Sequence, residues 1–406
     1  MIRQFLFPNP VLRRMAPLLA ASFTGGIALW VPVEKLFLGE IGFTPQTIGL
    51  MAAAYAAVVP AFEIVSGILA DRWSRRGVLV VGNVGAFLAV LVGGMSTNVT
   101  SYLVAALLLG VYFAMQSGSL EAIVYDTVLE EAGNSERFES TLGRVRMAES
   151  AALVLGALGG GVLAAITAPR VTYFATLPFV AVSIACLLAF REPRLHASDE
   201  RRSLRGHVAM TFGVIRRDRR LVPVVGLLVL TAILTQAVFE FGPLWLVDGG
   251  AGPGAFGPSW AGLMAALGLG GALAGRIRLE RPGTVRTLLG LLVGAAATLL
   301  LTSHAVIATA AQVVVVILSV VFGIYLTRVL HDAVPSDVRA GVSSGIGAVT
   351  WAAFVPFALG FGVLSERIGV RFAGWMIVLV AAGVAGLLAT LTVVERDEGR
   401  VPALAG

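Results

Sequence analysis

Apolar residues along this chain come in long blocks rather than at alternate positions. One set runs at roughly 16–38, 46–70, 77–97, 101–124, 146–168 and 171–190. A second runs at roughly 221–247, 259–277, 285–303, 306–327, 341–364 and 372–394. Each reaches the roughly 20 residues a helix needs to cross the hydrocarbon core. Backbone groups in lipid must pair within their own segment, and the alternation of a barrel strand is absent, so each block predicts a helix. The expected fold is an all-α polytopic membrane protein with twelve transmembrane helices.

The polar positions between the blocks give the topology. The N-terminus, 71–77, 125–146, 191–220, 276–286, 328–339 and the C-terminal tail hold 26 of the 30 lysines and arginines. The alternate set of connections holds Lys35, Arg170, Arg367 and Arg371. Basic residues mark the cytoplasmic side, so both termini are expected there. Residues 191–220 carry nine arginines, too many to span, and divide the chain into halves at 1–190 and 221–406. Within this basic linker, Val208 to Ile215 is a candidate for a helix lying at the headgroups.

Composition agrees with the pattern. Apolar residues make up 57% of the 406 and charged residues 13%, half the roughly 25% of a soluble domain; mean hydropathy is +0.88. A net charge of +6 would suit nucleic acid, but the arginines sit between the spans, where topology explains them, so no nucleic-acid partner is expected. Cys186 is the only cysteine, which excludes an intramolecular disulfide and a cysteine metal site. The first block follows Arg13 and Arg14 and lacks the short apolar core and cleavage site of a signal peptide. Asn98-Val99-Thr100 forms a sequon by chance. His196, His207, His304 and His331 form no ligand pair or catalytic grouping, and no nucleotide-binding loop is present. Neither an enzyme nor an ATP-driven pump is expected, and no cofactor or metal is implied.

The halves echo one another. "GLMAA" at 49–53 returns at 262–266, near the start of each half's second span. "VLEEA" at 128–132 is matched by "VLHDA" at 329–333, after each half's fourth span. Two pseudo-symmetric six-helix halves in parallel repeat are an architecture of secondary transporters.

The connection between spans 2 and 3 reads "GILADRWSRRGVL". Its Gly67, Asp71, Arg72, Arg75 and Arg76 resemble the signature of the major facilitator superfamily, with Ser74 where glycine is usual. The resemblance extends over the whole chain and includes a weakened copy, "GRIRLERPG" from Gly275, that has lost the aspartate. It implies a cytoplasmic gate. Gly67 would let span 2 approach a neighbour closely. Asp71 would face the positive end of span 11 near Ala340 to Ser344. The arginines would pair with an acid at the end of span 4, Asp126 first and Glu130 in reserve. The resemblance also implies that helices 1, 4, 7 and 10 line a cavity while 3, 6, 9 and 12 lie outside.

Acids inside spans are costly and usually face a cavity. Here they are Glu34, Glu63, Glu121, Glu149 and Glu240, and spans 3, 6 and 12 have none in their interiors. An unpaired carboxylate in an apolar site titrates near neutral pH. It could carry a proton or neutralise a cationic ligand, and the two would compete. Glu121 is the first candidate for this coupling role and Glu63 the second, with Glu34 and Glu240 in reserve. Glu149 is a candidate partner of Arg144 or Arg146. Trp30, Tyr55, Tyr112, Gln116, Gln236, Gln312, Trp351 and Phe354 could line a broad, mostly aromatic pocket. Trp245 reads as an interface anchor. Gly156 and Gly160, and Gly271 and Gly275, have the spacing of close helix contacts.

These residues lead to a proton-coupled exporter of hydrophobic or cationic small molecules, similar to the drug antiporters of the superfamily. It would work by alternating access as a monomer in lipid, in the cytoplasmic membrane of a bacterium. Its partners would be protons and a small-molecule substrate, and its energy source the proton gradient. Two departures separate it from typical drug antiporters: span 5 has "GALGGG" without a proline, and span 4 has no buried arginine. The alternatives are a proton-coupled metabolite uptake symporter and an exporter of lipids or neutral compounds.

Overall fold

The computed structural model describes residues 10–116, 119–134, 136–193, 221–279, 281–302, 304–334 and 339–397. Side chains at 63–65, 67–68, 70–72, 139, 339–341, 344 and 390–397 are outside that description. The basic linker and its headgroup helix therefore lie outside the described residues.

Twelve spans are found among the described residues, all helical. Span 1 is α1 (Pro10–Gly26), a 3-10 turn at Val31–Val33 and α2 (Glu34–Glu40). Spans 2 and 3 are α3 (Pro45–Arg72) and α4 (Arg75–Met95). Span 4 is α5 (Val99–Gln116) with α6 (Ser119–Ala132), and spans 5 and 6 are α7 (Phe138–Ile166) and α8 (Pro169–Ala189). Span 7 is α9 (Leu221–Phe241) with α10 (Pro243–Asp248). Spans 8 to 11 are α11 (Pro253–Ala274), α12 (Pro282–Leu301), α13 (Ala305–Ala333) and α14 (Arg339–Ile368). Span 12 is α15 (Val370–Ala373) with α16 (Trp375–Asp397).

Local chemistry sets the helix starts. Thr44 and Thr47 exchange hydrogen bonds in a capping box ahead of Pro45. Ser74 is extended, and its hydroxyl accepts from Gly77 N at 2.8 Å to cap α4. Asn98 Oδ1 accepts from Ser101 N at 2.9 Å, so the asparagine of the chance sequon starts α5.

Spans 1 and 7 are interrupted, which the hydrophobic pattern does not reveal. Pro32 follows Pro10, and Pro243 follows Leu221, by the same 22 residues. Proline removes a helical donor and crowds the turn before it. Freed backbone groups in a membrane must find other partners. Leu29 N donates to Thr176 Oγ1 at 3.1 Å, and Gly242 O accepts from Gln312 Nε2 at 3.0 Å.

The chain divides into two compact units, Met1–Arg201 with Gly252–Met264 and Arg202–Ala251 with Ala265–Gly406. In the first, α1 lies against α7 and α8, and α4 against α5 and α8. An apolar core of Met15, Leu18, Leu79, Ile123, Val128, Val145 and Phe190 closes the arginine-rich end. Deeper in, Ser183 donates to Ala21 O at 2.8 Å and to Asn83 Oδ1 at 3.1 Å, joining α1, α4 and α8. In the second, α9 contacts α13, α14 and α16, and α12 contacts α13 and α16.

Glycines bring backbones together in the first unit. A Cβ at Gly160 would overlap Leu29 O, and one at Gly156 would lie 2.8 Å from Ala28 N, so α7 presses directly on the interruption of span 1. Gly161 and Gly257 meet at similar range, with 2.8 Å from a Cβ on the first to the Cα of the second. The expectation for Gly271 and Gly275 is corrected, since a Cβ at either meets nothing within 4 Å. Gly270, one residue earlier, is the tight position, 2.7 Å from Val320 Cβ.

Candidate transport site

Polar side chains inside the first unit gather in three places. At the arginine-rich end, Arg75 forms an ion pair with Asp126 and donates to Ala122 O at 3.3 Å. Arg76 donates to the carbonyls of Leu188 (3.4 Å) and Phe190 (3.2 Å). Glu192 accepts from the Ser74 hydroxyl and, at 3.2 Å, from Arg76 N. A carboxylate at a helix N-terminus meets the positive end of its dipole. Glu130, the reserve acid, has a partner outside the signature loop. It pairs with Arg14 at 2.9 Å, and Glu131 pairs with the same guanidinium at 2.7 Å. The side chains of Gly67, Asp71 and Arg72, with the expected partner stretch from Ala340 to Ser344, lie largely outside the described residues.

The second place is the meeting of α6 and α7. Arg146 bridges Glu121 at 3.0 Å and Glu149 at 3.1 Å. This corrects the expectation of an unpaired Glu121 in an apolar site. The missing cation comes from the next span, and the side chains are 55% (Glu121), 50% (Arg146) and 35% (Glu149) exposed. Tyr112, hydrogen-bonded to Gln116, faces Glu149 electrostatically. Two carboxylates share one guanidinium here, within helices otherwise apolar enough to span.

The third place is the interrupted end of span 1. Glu34 accepts from Lys35 Nζ at 2.7 Å and from Tyr102 OH at 2.8 Å, and Tyr102 and Tyr173 share a 2.7 Å hydrogen bond. Glu34 is therefore not an isolated acid. Trp30 lies buried against Tyr173, with ring centroids 5.2 Å apart. Arg170 sits over the Phe37 ring at 4.9 Å. Tyr55 is buried against Phe113. Trp30 and Tyr55 thus take packing positions in the fold. The Glu63 side chain is outside the described residues.

In the second unit a cavity of about 570 Å³ opens between α9, α13 and α14. Thr231, Thr235 and Gln236 line it from α9, Ser319 and Thr327 from α13, and Thr350, Trp351 and Phe354 from α14. None of its lining residues is ionisable. Gln236 and Trp351 are thus brought together at the cavity, while Phe354 is fully buried in its wall. Gln312 is a correction. It is 1% exposed, and its amide holds the Gly242 carbonyl rather than facing the cavity. Trp245 is corrected as well: it is fully buried and donates from Nε1 to Leu299 O at 2.8 Å, so it is no interface anchor. Glu240 is buried at 8% exposure and is not without a partner.

The family model described as Major Facilitator Superfamily matches residues 15–351. The chain belongs to the Major Facilitator Superfamily. Multidrug resistance protein 2 of Bacillus subtilis (strain 168) is 25% identical over 183 residues, 45% of this chain and 44% of that protein. The class H tetracycline resistance protein of Pasteurella multocida is 29% identical over 170 residues, 41% of each chain. The match thus spans less than half the length of these curated relatives. Among solved structures, a bacterial homolog of the human lysosomal transporter Spinster, inward-facing and occupied, aligns with a TM-score of 0.76. It is 14% identical and covers 98% of this chain and 100% of its own. The shared fold is that of a multi-pass membrane protein, with twelve helices long and apolar enough to cross a bilayer among the described residues.

Within the superfamily signature, the departure at Ser74 has a local cause. The backbone there is extended and needs no glycine, and the hydroxyl caps α4 while binding Glu192. Sequence reasoning missed Glu192, Arg14, Glu131, Tyr102 and Tyr173. Glu192 falls at the start of the basic linker, where sequence shows only its charge. The tyrosines are separated by 71 residues, and no spacing rule links them.

Proposed function

We propose that this transporter exports hydrophobic small molecules, cationic ones among them, in exchange for protons. The observation that carries the reading is the odd charge of the Glu121–Arg146–Glu149 group. Two acids and one base leave one negative charge, on half-exposed side chains that a cation or proton can reach, within spans apolar enough to cross a membrane. A proton or an organic cation cancels that charge, and competition between them couples the two fluxes. Arg146 occupies the carboxylates when neither is bound. The names of the curated relatives, multidrug and tetracycline resistance proteins, agree with this reading. The arginine-rich end faces the cytoplasm of a bacterial cell. There Arg75 and Asp126 form part of the gate that opens and closes during alternating access. The protein acts as a monomer in lipid, and the proton gradient is its energy source.

A second reading, export of neutral compounds, is favoured by the uncharged cavity between α9, α13 and α14. Both are tested in proteoliposomes with an imposed pH gradient and tetraphenylphosphonium. Gradient-driven movement of the cation by wild type, lost in Glu121→Gln, is the expected result. Movement unaffected by Glu121→Gln or Glu149→Gln removes the coupling role from this group and leaves Glu63 as the next acid. Movement in the direction of the proton flux points to symport. No movement by folded wild type sinks the cation reading.

A further inference from the structure

Five hydroxyl side chains line the cavity of the second unit, and four of them are already committed as donors. Thr231 donates to Leu227 O at 2.9 Å, Thr235 to Thr231 O at 3.1 Å, Thr327 to Gly323 O at 2.8 Å and Thr350 to Ile346 O at 2.9 Å. This back-bonding is the usual refuge of a hydroxyl in an apolar helix. Ser319 differs. It is 2% exposed, it lines the cavity, and its Oγ has no protein partner. A buried hydroxyl without a bond is costly, and native structures rarely keep one without a reason.

We infer that Ser319 is the donor with which this cavity reads a neutral oxygen acceptor, a ketone, ester or ether oxygen carried on an apolar or aromatic body. Among the described residues no ionisable one lines the cavity, so a charged group would enter it without a counter-charge. The acceptor-bearing end of the ligand must therefore be uncharged. Trp351 supplies aromatic surface beside it, with Phe354 fully buried behind the wall. The volume of about 570 Å³ falls in the range of small-molecule pockets. Ser319 would then set specificity, because a site with a waiting donor rejects the analogue that lacks the acceptor. The inference rests on this cavity being a ligand site of the transporter, and it concerns the neutral end of the ligand only.

The test uses the full-length protein in nanodiscs and two neutral probes of nearly equal size. One is 6-acetyl-2-(dimethylamino)naphthalene; the other carries isopropyl in place of acetyl. Binding is measured by equilibrium dialysis against empty nanodiscs. Wild type is expected to bind the ketone at least about tenfold more tightly than the hydrocarbon, the scale set by one well-placed hydrogen bond. Ser319→Ala should abolish that difference, and Ser319→Cys, a weaker donor of similar size, should leave an intermediate one. The thermal midpoint of unliganded Ser319→Ala should stay level or rise, because the hydroxyl has no protein bond to lose. A ketone preference that survives in Ser319→Ala overturns the inference. So does a fall in the unliganded midpoint, which would mark Ser319 as structural. Failure of wild type to bind the ketone, in protein that still moves tetraphenylphosphonium against a pH gradient, overturns the inference and leaves the export reading standing. Failure of both overturns both.

Discussion

Single residues fall into two groups, those whose side chain acts and those whose lack of one does. Gly160 belongs to the second. Its backbone lies so near Leu29 O that even a methyl group overlaps. Gly160→Ala should lower stability by about 1–3 kcal/mol, the usual effect of overfilling a packed contact. Gly271→Ala, where a Cβ meets nothing within 4 Å, should leave the unfolding midpoint of the purified protein unchanged or raised. The small-xxx-small spacing was readable for both pairs, but it cannot say which face of a helix meets a neighbour, and only one pair was tight. The acids show a similar limit. Their presence inside spans was plain from sequence. Local partners were legible too, Arg146 for Glu149 and Lys35 for Glu34; the reach of Arg146 to Glu121 from the next span was not.

Elements were the most legible level. A block of apolar residues long enough to span has one solution in lipid, and all twelve blocks became helices. The interruptions were not legible, and proline alone does not announce them. Pro17, Pro60, Pro178, Pro258 and Pro356 all lie inside helices that continue past them. At Pro32 and Pro243 the freed backbone has a partner waiting, Thr176 in one unit and Gln312 in the other. Replacing Gln312 by leucine keeps the bulk and removes one of the two donors to Gly242 O, which still accepts from Trp245 N at 3.1 Å. Loss of one neutral hydrogen bond costs about 0.5–1.5 kcal/mol, so the midpoint of thermal unfolding should fall accordingly. Glu192→Gln should also lower the midpoint, because Ser74 and Arg76 N donate to separate carboxylate oxygens, of which an amide keeps one, and the charge at the α4 N-terminus is lost as well.

For the whole molecule, the arginine distribution makes a claim about sidedness that labelling can check. In a Cys186→Ser background, cysteine placed at exposed Thr97 should react with a membrane-impermeant maleimide on intact cells. Cysteine at exposed Asn134 should react only after permeabilisation. The reverse pattern would invert the proposed orientation. The uncharged wall between α9, α13 and α14 has an electrical consequence. An uncharged passenger crosses the membrane without feeling its voltage, so exchange for one inward proton moves one net charge each cycle. An elementary charge crossing 100 mV is worth about 2.3 kcal/mol, or roughly a fifty-fold concentration ratio. A valinomycin-set potassium potential, with pH equal on both sides, should therefore drive a neutral ligand uphill by itself. The same potential should leave a monovalent cation, exchanged one for one with a proton, at rest.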